Sequence, residues 1–213
     1  MLKRVVSAPR AYGRRKCTQS RSKILGVNAA PFDVSLDWPA GELRGDTVRT
    51  SQKTLGAMRS LFRDGSSSPV GDETLLYSVQ WVEPGTPQSA GSLLFGCTHL
   101  QPGKVGEEYF MTHGHFHALS SRAEFYLPVS GSGLLLLMTR DGETWSEEML
   151  PGRVLHINGE HAHRAVNTGS EPLVFWACWP GDAGYDYATI AARGFGLRAV
   201  ERDGRTLLVD STR

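Results

Sequence analysis

The sequence predicts an all-β sandwich or barrel, and three observations carry that prediction. From about residue 75 onward, short apolar or alternating runs of strand length recur at regular spacing. Turn pairs rich in Gly, Pro, Asn and Asp separate these runs. Asp141-Gly142 stands between two such runs and is a strong hairpin signal. The predicted strands cover 75–82, 91–99, 107–113, 123–129, 133–139, 153–158 and 172–179.

Two helices and a last hairpin complete the predicted elements. A helix over 50–64 would bury Leu55, Met58, Leu61 and Phe62 on one face, with Thr50 or Ser51 as its cap. A second helix is expected over 183–192, with Asp182 as its cap and Gly194 as its end. A closing hairpin is expected over 197–209, around Asp203-Gly204.

Charge divides the chain into segments. The total of 213 residues suits one domain with an appendage, and 23 Lys+Arg nearly balance 22 Asp+Glu. Residues 1–24 hold eight of those cations and no acid, so the rest of the chain has 15 cations against 22 acids. We therefore expect a basic flexible tail over 1–24, an arm with one helix over 25–74, and the β-domain over 75–213.

Several classes of protein are disfavoured. An acidic body argues against nucleic acid as a partner. No apolar run approaches the length of a membrane-spanning helix, and the N-terminus lacks the apolar core of a secretory signal. Cys17, Cys97 and Cys178 are odd in number and lack CxxC spacing, which favours a reducing cytoplasm over a disulfide framework.

All seven histidines lie between His99 and His163, which indicates a site. His113, His115 and His117 alternate, so a strand would place all three on one face. Glu124 begins the next run and His163 follows on a later strand. Imidazole and carboxylate groups suit Fe, Mn, Ni, Zn or Cu, so this pattern predicts a metal centre. The alternation by itself does not exclude His113 from the ligands.

Longer strings in this region are more specific than the histidine spacing. EEYFMTHGHFH, AEFY, GSGLLLLM, PGRVLHINGEHAHRAVNTGSEPLVF and DAGYDYATIAARGF resemble the cupin-type glucose-6-phosphate isomerases. The similarity runs from about Leu94 to Val209. It implies a jelly-roll-like cupin β-barrel with a small N-terminal helical and extended arm. It also implies a homodimer that interconverts glucose 6-phosphate and fructose 6-phosphate in glycolysis and gluconeogenesis.

The resemblance implies one divalent first-row metal ion per subunit, held by His115, His117, Glu124 and His163. Iron is the first expectation, with Mn, Ni or Zn as alternatives. His113, on the same predicted face, and His161, two residues before His163, remain alternative ligands.

Catalysis and substrate binding are assigned to the same region. Glu124 is the candidate base for moving a proton between C1 and C2 of the open-chain sugar, whereas a hydride shift would need no base. Tyr126 shares the predicted face of Glu124 and could donate to a sugar oxygen. The resemblance assigns the phosphate to Tyr77, Thr98, Thr112 and the backbone of Gly114. Lys104, the last lysine of the chain, is a further candidate for the phosphate.

The sequence also departs from that family. Asn158, Gly159, Glu160 and His161 stand where two prolines and an aromatic pair are usual, Trp179 replaces a tyrosine, and Tyr185 replaces a histidine. An inward-facing Glu160 would repel a phosphate dianion. Two other functions are therefore kept in view: an iron-dependent cupin dioxygenase, and a cupin that binds a sugar phosphate without turnover.

Overall fold

The computed structural model describes residues 33–211. The expected basic tail, with Cys17, and the first residues of the expected arm lie outside the described residues. No helix in the described range is long and apolar enough to cross a membrane.

Strands dominate the described range. They are β1 (Ser35–Asp37), β2 (Glu42–Arg44), β3 (Arg49–Thr54), β4 (Leu75–Val82), β5 (Leu93–Leu100), β6 (Lys104–Val105), β7 (Glu108–Tyr109), β8 (Glu124–Ser130), β9 (Gly133–Met138), β10 (Thr144–Met149), β11 (Leu155–Ile157), β12 (Ala162–Asn167), β13 (Leu173–Pro180), β14 (Leu197–Arg202) and β15 (Arg205–Asp210). The α-helices are α1 (Leu55–Met58) and α2 (Tyr187–Arg193). The prediction of an all-β fold is confirmed.

The strands form antiparallel sheets around one main apolar core. A six-stranded sheet has the order β11-β8-β13-β5-β4-β3, and a three-stranded sheet has the order β10-β9-β12. Strands β15-β14-β7-β6 and the pair β1-β2 form two smaller sheets. Leu76 and Leu100 of the first sheet share a buried cluster with Leu135 and Val166 of the second. Burial of these apolar faces is the main force that joins the two sheets.

Both predicted hairpins are confirmed. Strands β9 and β10 pair from Gly133↔Met149 to Met138↔Thr144, and Gly142 turns the chain with a φ of +99°. Strands β14 and β15 are joined through Asp203 and Gly204, whose φ values are +51° and +70°. Glycine adopts such positive φ values without the steric cost that a side chain brings.

The first predicted helix is wrong over its first turns. Residues 49–54 form β3, which pairs with β4 through contacts such as Thr50↔Gln80. Helix α1 covers one turn, and 3₁₀ turns follow at Arg59–Leu61 and Gly65–Ser67. The threonines of 49–54 fit a strand well, and hydrogen bonds to the edge of β4 outweigh a weak helical periodicity. The predicted boundary between arm and barrel, after residue 74, stays a prediction, although β3 is hydrogen bonded to the first strand beyond it.

The second helix begins later than predicted. Its cap is Asp186, whose side chain accepts a hydrogen bond of 3.1 Å from the Thr189 N–H, and Gly194 ends it as expected. Asp182, the predicted cap, instead binds both Arg122 Nε and Nη2, at 2.7 and 2.6 Å. Gly184, with a φ of +63°, turns the chain between these two aspartates.

Candidate metal centre and substrate cavity

Four of the predicted metal ligands meet in the interior. The ring nitrogens of His115, His117 and His163 lie within 4.8 Å of one another. Glu124 Oε1 lies 2.9 Å from His163 Nε2, and Glu124 Oε2 lies 3.7 Å from His117 Nε2. His117, Glu124 and His163 are each at least 96% buried, since their exposed fractions are 1%, 4% and 2%.

Backbone pairing brings these side chains together. His115 and His163 face each other in an antiparallel bridge, in which the N–H of each donates to the carbonyl of the other, at 3.3 and 3.1 Å. His163 lies on β12 of the three-stranded sheet, and Glu124 is the first residue of β8 of the six-stranded sheet. The candidate centre therefore draws its groups from both sheets.

Backbone carbonyls fix two of the rings. His117 Nδ1 lies 2.5 Å from the Arg122 carbonyl, and His163 Nδ1 lies 3.5 Å from the His161 carbonyl. The ion pair between Arg122 and Asp182 holds the first of these carbonyls in place. A carbonyl at this position favours the tautomer with its proton on Nδ1. The lone pair of Nε2 is then available to a metal ion.

The unsatisfied atoms of the interior converge here. Five buried side-chain N or O atoms of the described residues make no hydrogen bond. Four of them are His115 Nε2, His117 Nε2, His163 Nε2 and Glu124 Oε1; the last two lie 2.9 Å apart but without the geometry of a hydrogen bond. A buried polar atom without a partner costs about 1–3 kcal/mol. Three imidazole nitrogens and a carboxylate are also the donor set that divalent first-row metals accept, so these residues fit a metal ion.

Burial and mutual contact set the ionisation of the group. Burial, reinforced by His163, holds the pKa of His115 well below its usual value, so this ring is neutral at physiological pH. Burial alone would raise the pKa of Glu124, but His163 and His117 outweigh it and lower that pKa. The ionised carboxylate of Glu124 and the neutral imidazole of His115 are the forms of these two groups that bind a cation.

Neither alternative histidine joins this group. The chain around His113 is not a regular strand, because Gly114 has a φ of +74° and interrupts the alternation. The His113 ring contacts its own chain at the Gly114 carbonyl and meets Tyr187 edge-on, with ring centres 4.8 Å apart. The His161 ring meets Trp145, with ring centres 4.9 Å apart. The interpretation that His113 shares the face of His115 and His117 is therefore wrong.

A cavity of about 270 Å³ opens beside the histidines and Glu124. Most of the predicted site residues line it, namely Tyr77, Thr98, Thr112, Gly114, His115, Glu124, Tyr126 and His163. Further lining residues, which the sequence pattern did not indicate, are Ser51, Val79, Trp81 and Tyr187. Tyr187 lies in the DAGYDY string, two residues after Tyr185, which is the one signal that could have found it.

Neutral donors line the part of the cavity that the phosphate is expected to occupy. Thr112 Oγ1 accepts the Ala165 N–H at 3.0 Å, and Tyr77 Oη accepts the His113 N–H at 3.4 Å. Both hydroxyls therefore keep their own protons for a ligand. Burial raises the pKa of Tyr77, which keeps it protonated. Within the described part of the chain, the Gly114 N–H donates no hydrogen bond.

Lys104, the further candidate for the phosphate, does not line this cavity. Its Nζ lies 2.6 Å from Glu201 Oε1. Both residues line a separate surface hollow with Tyr109 and Thr168. The positive charge of Lys104 is therefore paired with Glu201, a carboxylate that lies on the distant strand β14.

Two departures from the family strings contact each other. Trp179 Nε1 donates to Tyr185 Oη at 3.0 Å. The Tyr185 ring stacks on Tyr187 with centres 5.7 Å apart, and it lies 5.0 Å from the ring of His115. Tyr185 is 48% exposed, so this stack lies where the cavity meets the surface.

The departure at Glu160 does not affect the cavity. Glu160 is exposed and lines a surface hollow with Ser120, Arg140 and His161. It does not face the candidate site, and the expected repulsion of a phosphate does not arise.

Comparisons with known proteins found similar sequences and a partly similar fold. The family model for glucose-6-phosphate isomerase (GPI) matches residues 69–212. The glucose-6-phosphate isomerase of Pyrococcus horikoshii is 39% identical over 186 residues, which span 86% of this chain and 96% of that protein. The Thermococcus litoralis enzyme of the same name is 39% identical over 185 residues, 85% of this chain and 95% of that protein. Oxalate decarboxylase of Bacillus subtilis superposes with a TM-score of 0.40 at 20% identity, over 51% of this chain and 26% of that chain.

Proposed function

The chain belongs to the cupin-type glucose-6-phosphate isomerase family, and we propose that it carries out this family's reaction with a bound metal ion. The reaction interconverts glucose 6-phosphate and fructose 6-phosphate. The proposed ligands are His115, His117, Glu124 and His163. The observation that carries the proposal is that four unsatisfied atoms of these side chains converge at one edge of the cavity.

The cavity suits a sugar phosphate. Its metal-ligating side chains, among them His163 and Glu124, suit a metal ion and the C1 and C2 oxygens. Its uncharged donors on Tyr77, Thr98 and Thr112, with the Gly114 N–H, suit a phosphate group. The aromatic rings between them, among them Phe175 and Trp179, provide the apolar walls usual in small-molecule sites.

Glu124 and Tyr126 are proposed to perform the chemistry. A bound divalent cation would polarise the C1 and C2 oxygens as a Lewis acid. Glu124 would take the proton from C2 of glucose 6-phosphate and return it to C1, while the O2 hydroxyl proton passes to O1; the reverse steps would convert fructose 6-phosphate. Burial, together with the charge of Glu124, raises the pKa of Tyr126 well above its usual value. Tyr126 therefore remains protonated and can donate a hydrogen bond to a sugar oxygen.

An isotope experiment distinguishes this route from a hydride shift. His163 and His117 lower the pKa of Glu124, which makes it a weaker base than a free carboxylate. If Glu124 moves a proton, deuterium at C2 of glucose 6-phosphate should exchange with solvent during turnover. Quantitative retention of deuterium at C1 of the product would exclude Glu124 as the base. Glu124→Gln should lower kcat in either case, since it also removes a proposed ligand.

The proposed function is tested by a coupled assay on metal-stripped and metal-restored protein. We expect interconversion in both directions that is lost on stripping and regained with a divalent first-row ion. Iron is the metal that we propose, and restoration with Fe, Mn, Ni and Zn in parallel tests this choice. Absence of metal-dependent interconversion would overturn the proposal. Iron-dependent oxygen uptake would indicate a dioxygenase, and binding without turnover would indicate a non-catalytic cupin.

We also propose that the protein is a homodimer of the cytoplasm. Exposed apolar side chains on the surface, including Phe125, Val154 and Trp38, support a dimer contact. Cys97 and Cys178 are free thiols, which agrees with a reducing compartment. Sedimentation equilibrium at two protein concentrations measures the oligomeric state, and a monomer at both would contradict the dimer.

A further inference from the structure

Arg164 is a buried cation that the proposed mechanism does not use. It follows His163 on β12 and is 3% exposed. Its Nη2 and Nε donate to the carbonyl oxygen of His113, at 2.6 and 3.2 Å. Its guanidinium carbon lies 4.5 Å from the centre of the Phe195 ring. Arg164 takes part in no ion pair among the described residues, and Glu108, the acid whose charge acts on it, is paired with Arg198.

A charge in this position is costly unless something balances it. A guanidinium stays protonated in proteins, so Arg164 carries its charge into the interior. The groups in contact with it are a neutral carbonyl and an aromatic ring. Buried charges in proteins are usually paired. A phosphate dianion in the adjacent cavity would supply the missing negative charge.

The peptide between His113 and Gly114 links Arg164 to the cavity. The described chain contains no cis peptide bond, so the His113 carbonyl and the Gly114 N–H point in opposite directions. The carbonyl points to Arg164, and the N–H therefore points away from it. Gly114 lines the cavity, and its N–H donates no hydrogen bond in the described part of the chain.

Glycine is required for this arrangement. Gly114 has a φ of +74°, and a Cβ at this position would lie 2.7 Å from the Phe195 ring and 3.1 Å from Arg164. A side chain would therefore separate Arg164 from the peptide that it holds. Packing of Arg164, Phe195 and Gly114 against one another fixes the direction of the N–H.

We propose that Arg164 is a positioning residue for the substrate phosphate. Its guanidinium holds and polarises the His113–Gly114 peptide, so that the Gly114 N–H donates to a phosphate oxygen. Its positive charge lies behind the residues that line the cavity. This charge offsets part of the negative charge of the phosphate dianion. This inference rests on the proposed function and adds to it a residue that does not itself touch the substrate.

The test compares Arg164→Met and Arg164→Lys with the unaltered protein. Arg164→Met should raise KM for fructose 6-phosphate and the inhibition constant of inorganic phosphate by about tenfold to a hundredfold, as expected for loss of a charge-assisted contact. Bound metal should be unchanged and kcat should change less. Arg164→Lys keeps the charge, so its KM and its inhibition constant should lie between those of the unaltered protein and those of Arg164→Met. Arg193→Met is the matched control, because Arg193 also donates to two carbonyls, at 2.6 and 3.0 Å, but it is exposed and away from the cavity.

The outcomes separate the two proposals. Lack of activity in the unaltered, metal-restored protein would overturn the proposed function. With that protein active, an inhibition constant of phosphate within twofold of the original in folded Arg164→Met would overturn the role of Arg164. If that variant does not fold, NMR on the unaltered protein decides. Phosphate should shift the Gly114 amide resonance and the Arg164 Nε–H resonance downfield. If either resonance stays unchanged at saturating phosphate, the inference is overturned.

Discussion

Two groups of residues in the candidate site, named here by their proposed ligands, differ in kind: the metal end (His115, His117, Glu124 and His163) and the phosphate end (Tyr77, Thr98, Thr112 and Gly114). At the metal end, ionisable groups lie close together and four of their atoms have no hydrogen-bond partner. At the phosphate end, the groups in contact with the cavity are neutral hydroxyls and a backbone N–H. There, Thr112 and Tyr77 already accept a backbone hydrogen bond, and the charge of Arg164 lies behind the wall.

This difference predicts different responses to substitution. A group removed from the metal end leaves its neighbours buried and unsatisfied, so the whole centre should fail together. A donor removed from the phosphate end leaves several others in place, so each loss should be partial. Partial loss of activity in variants of the metal end, or complete loss in variants of the phosphate end, would show that residues are assigned to the wrong end.

The largest effect is expected at His163. His163→Ala should lose most of its bound metal and its activity, because His163 Nε2 lies 2.9 Å from Glu124 and belongs to the converging group. His113→Ala should keep its metal, because its ring lies outside that group. Metal content by mass spectrometry and affinity by calorimetry measure both variants. Equal loss in both would mean that the ligand set is misassigned.

A smaller, partial effect is expected at Thr112. Thr112→Val should raise KM by about tenfold with little change in metal content, because it removes one hydroxyl that donates to a charged phosphate. Thr144→Val is the control: Thr144 Oγ1 also accepts a backbone N–H, from Gly196 at 3.1 Å, but does not line the cavity. Steady-state kinetics measure KM in both variants, and only Thr112→Val should raise it. Loss of metal in Thr112→Val would show that the two ends are not separate.

The contact between Trp179 and Tyr185 should contribute less. Tyr185→Phe removes the hydroxyl that accepts the Trp179 N–H, and Tyr185 is about half exposed. We expect a change of about threefold in KM. Trp179→Phe removes the same hydrogen bond, so the double variant should show less than the sum of the two single effects. Fully additive effects would mean that the hydrogen bond does not couple these residues.

No kinetic effect is expected at Lys104. Lys104→Met removes an ion pair with Glu201 that is about one third exposed at both partners, away from the cavity. KM should stay within twofold, and the free energy of unfolding should fall by less than about 1 kcal/mol. Chemical denaturation and steady-state kinetics measure both. A KM raised tenfold would return Lys104 to the phosphate site.

The sequence predicted what depends on local pattern. Strand periodicity and turn pairs were sufficient for the hairpins around Gly142 and Gly204, and the family strings led to the residues that meet at the metal end. Long-range contacts were not accessible in this way. The partner of Lys104 lies on β14, and the edge of β4 made residues 49–54 a strand. The positive φ of Gly114 removed His113 from the face of its neighbours.

His163 and Arg164 are consecutive residues of β12, and the proposed roles assign them to the metal ion and to the phosphate. Strand β12 is paired with β9 along all six of its residues, which holds these two residues at a fixed spacing. If both proposed roles hold, this spacing would also fix the distance between the metal ion and the phosphate. The length of the sugar chain would then contribute to substrate selection, because a shorter sugar phosphate could not reach both groups at once.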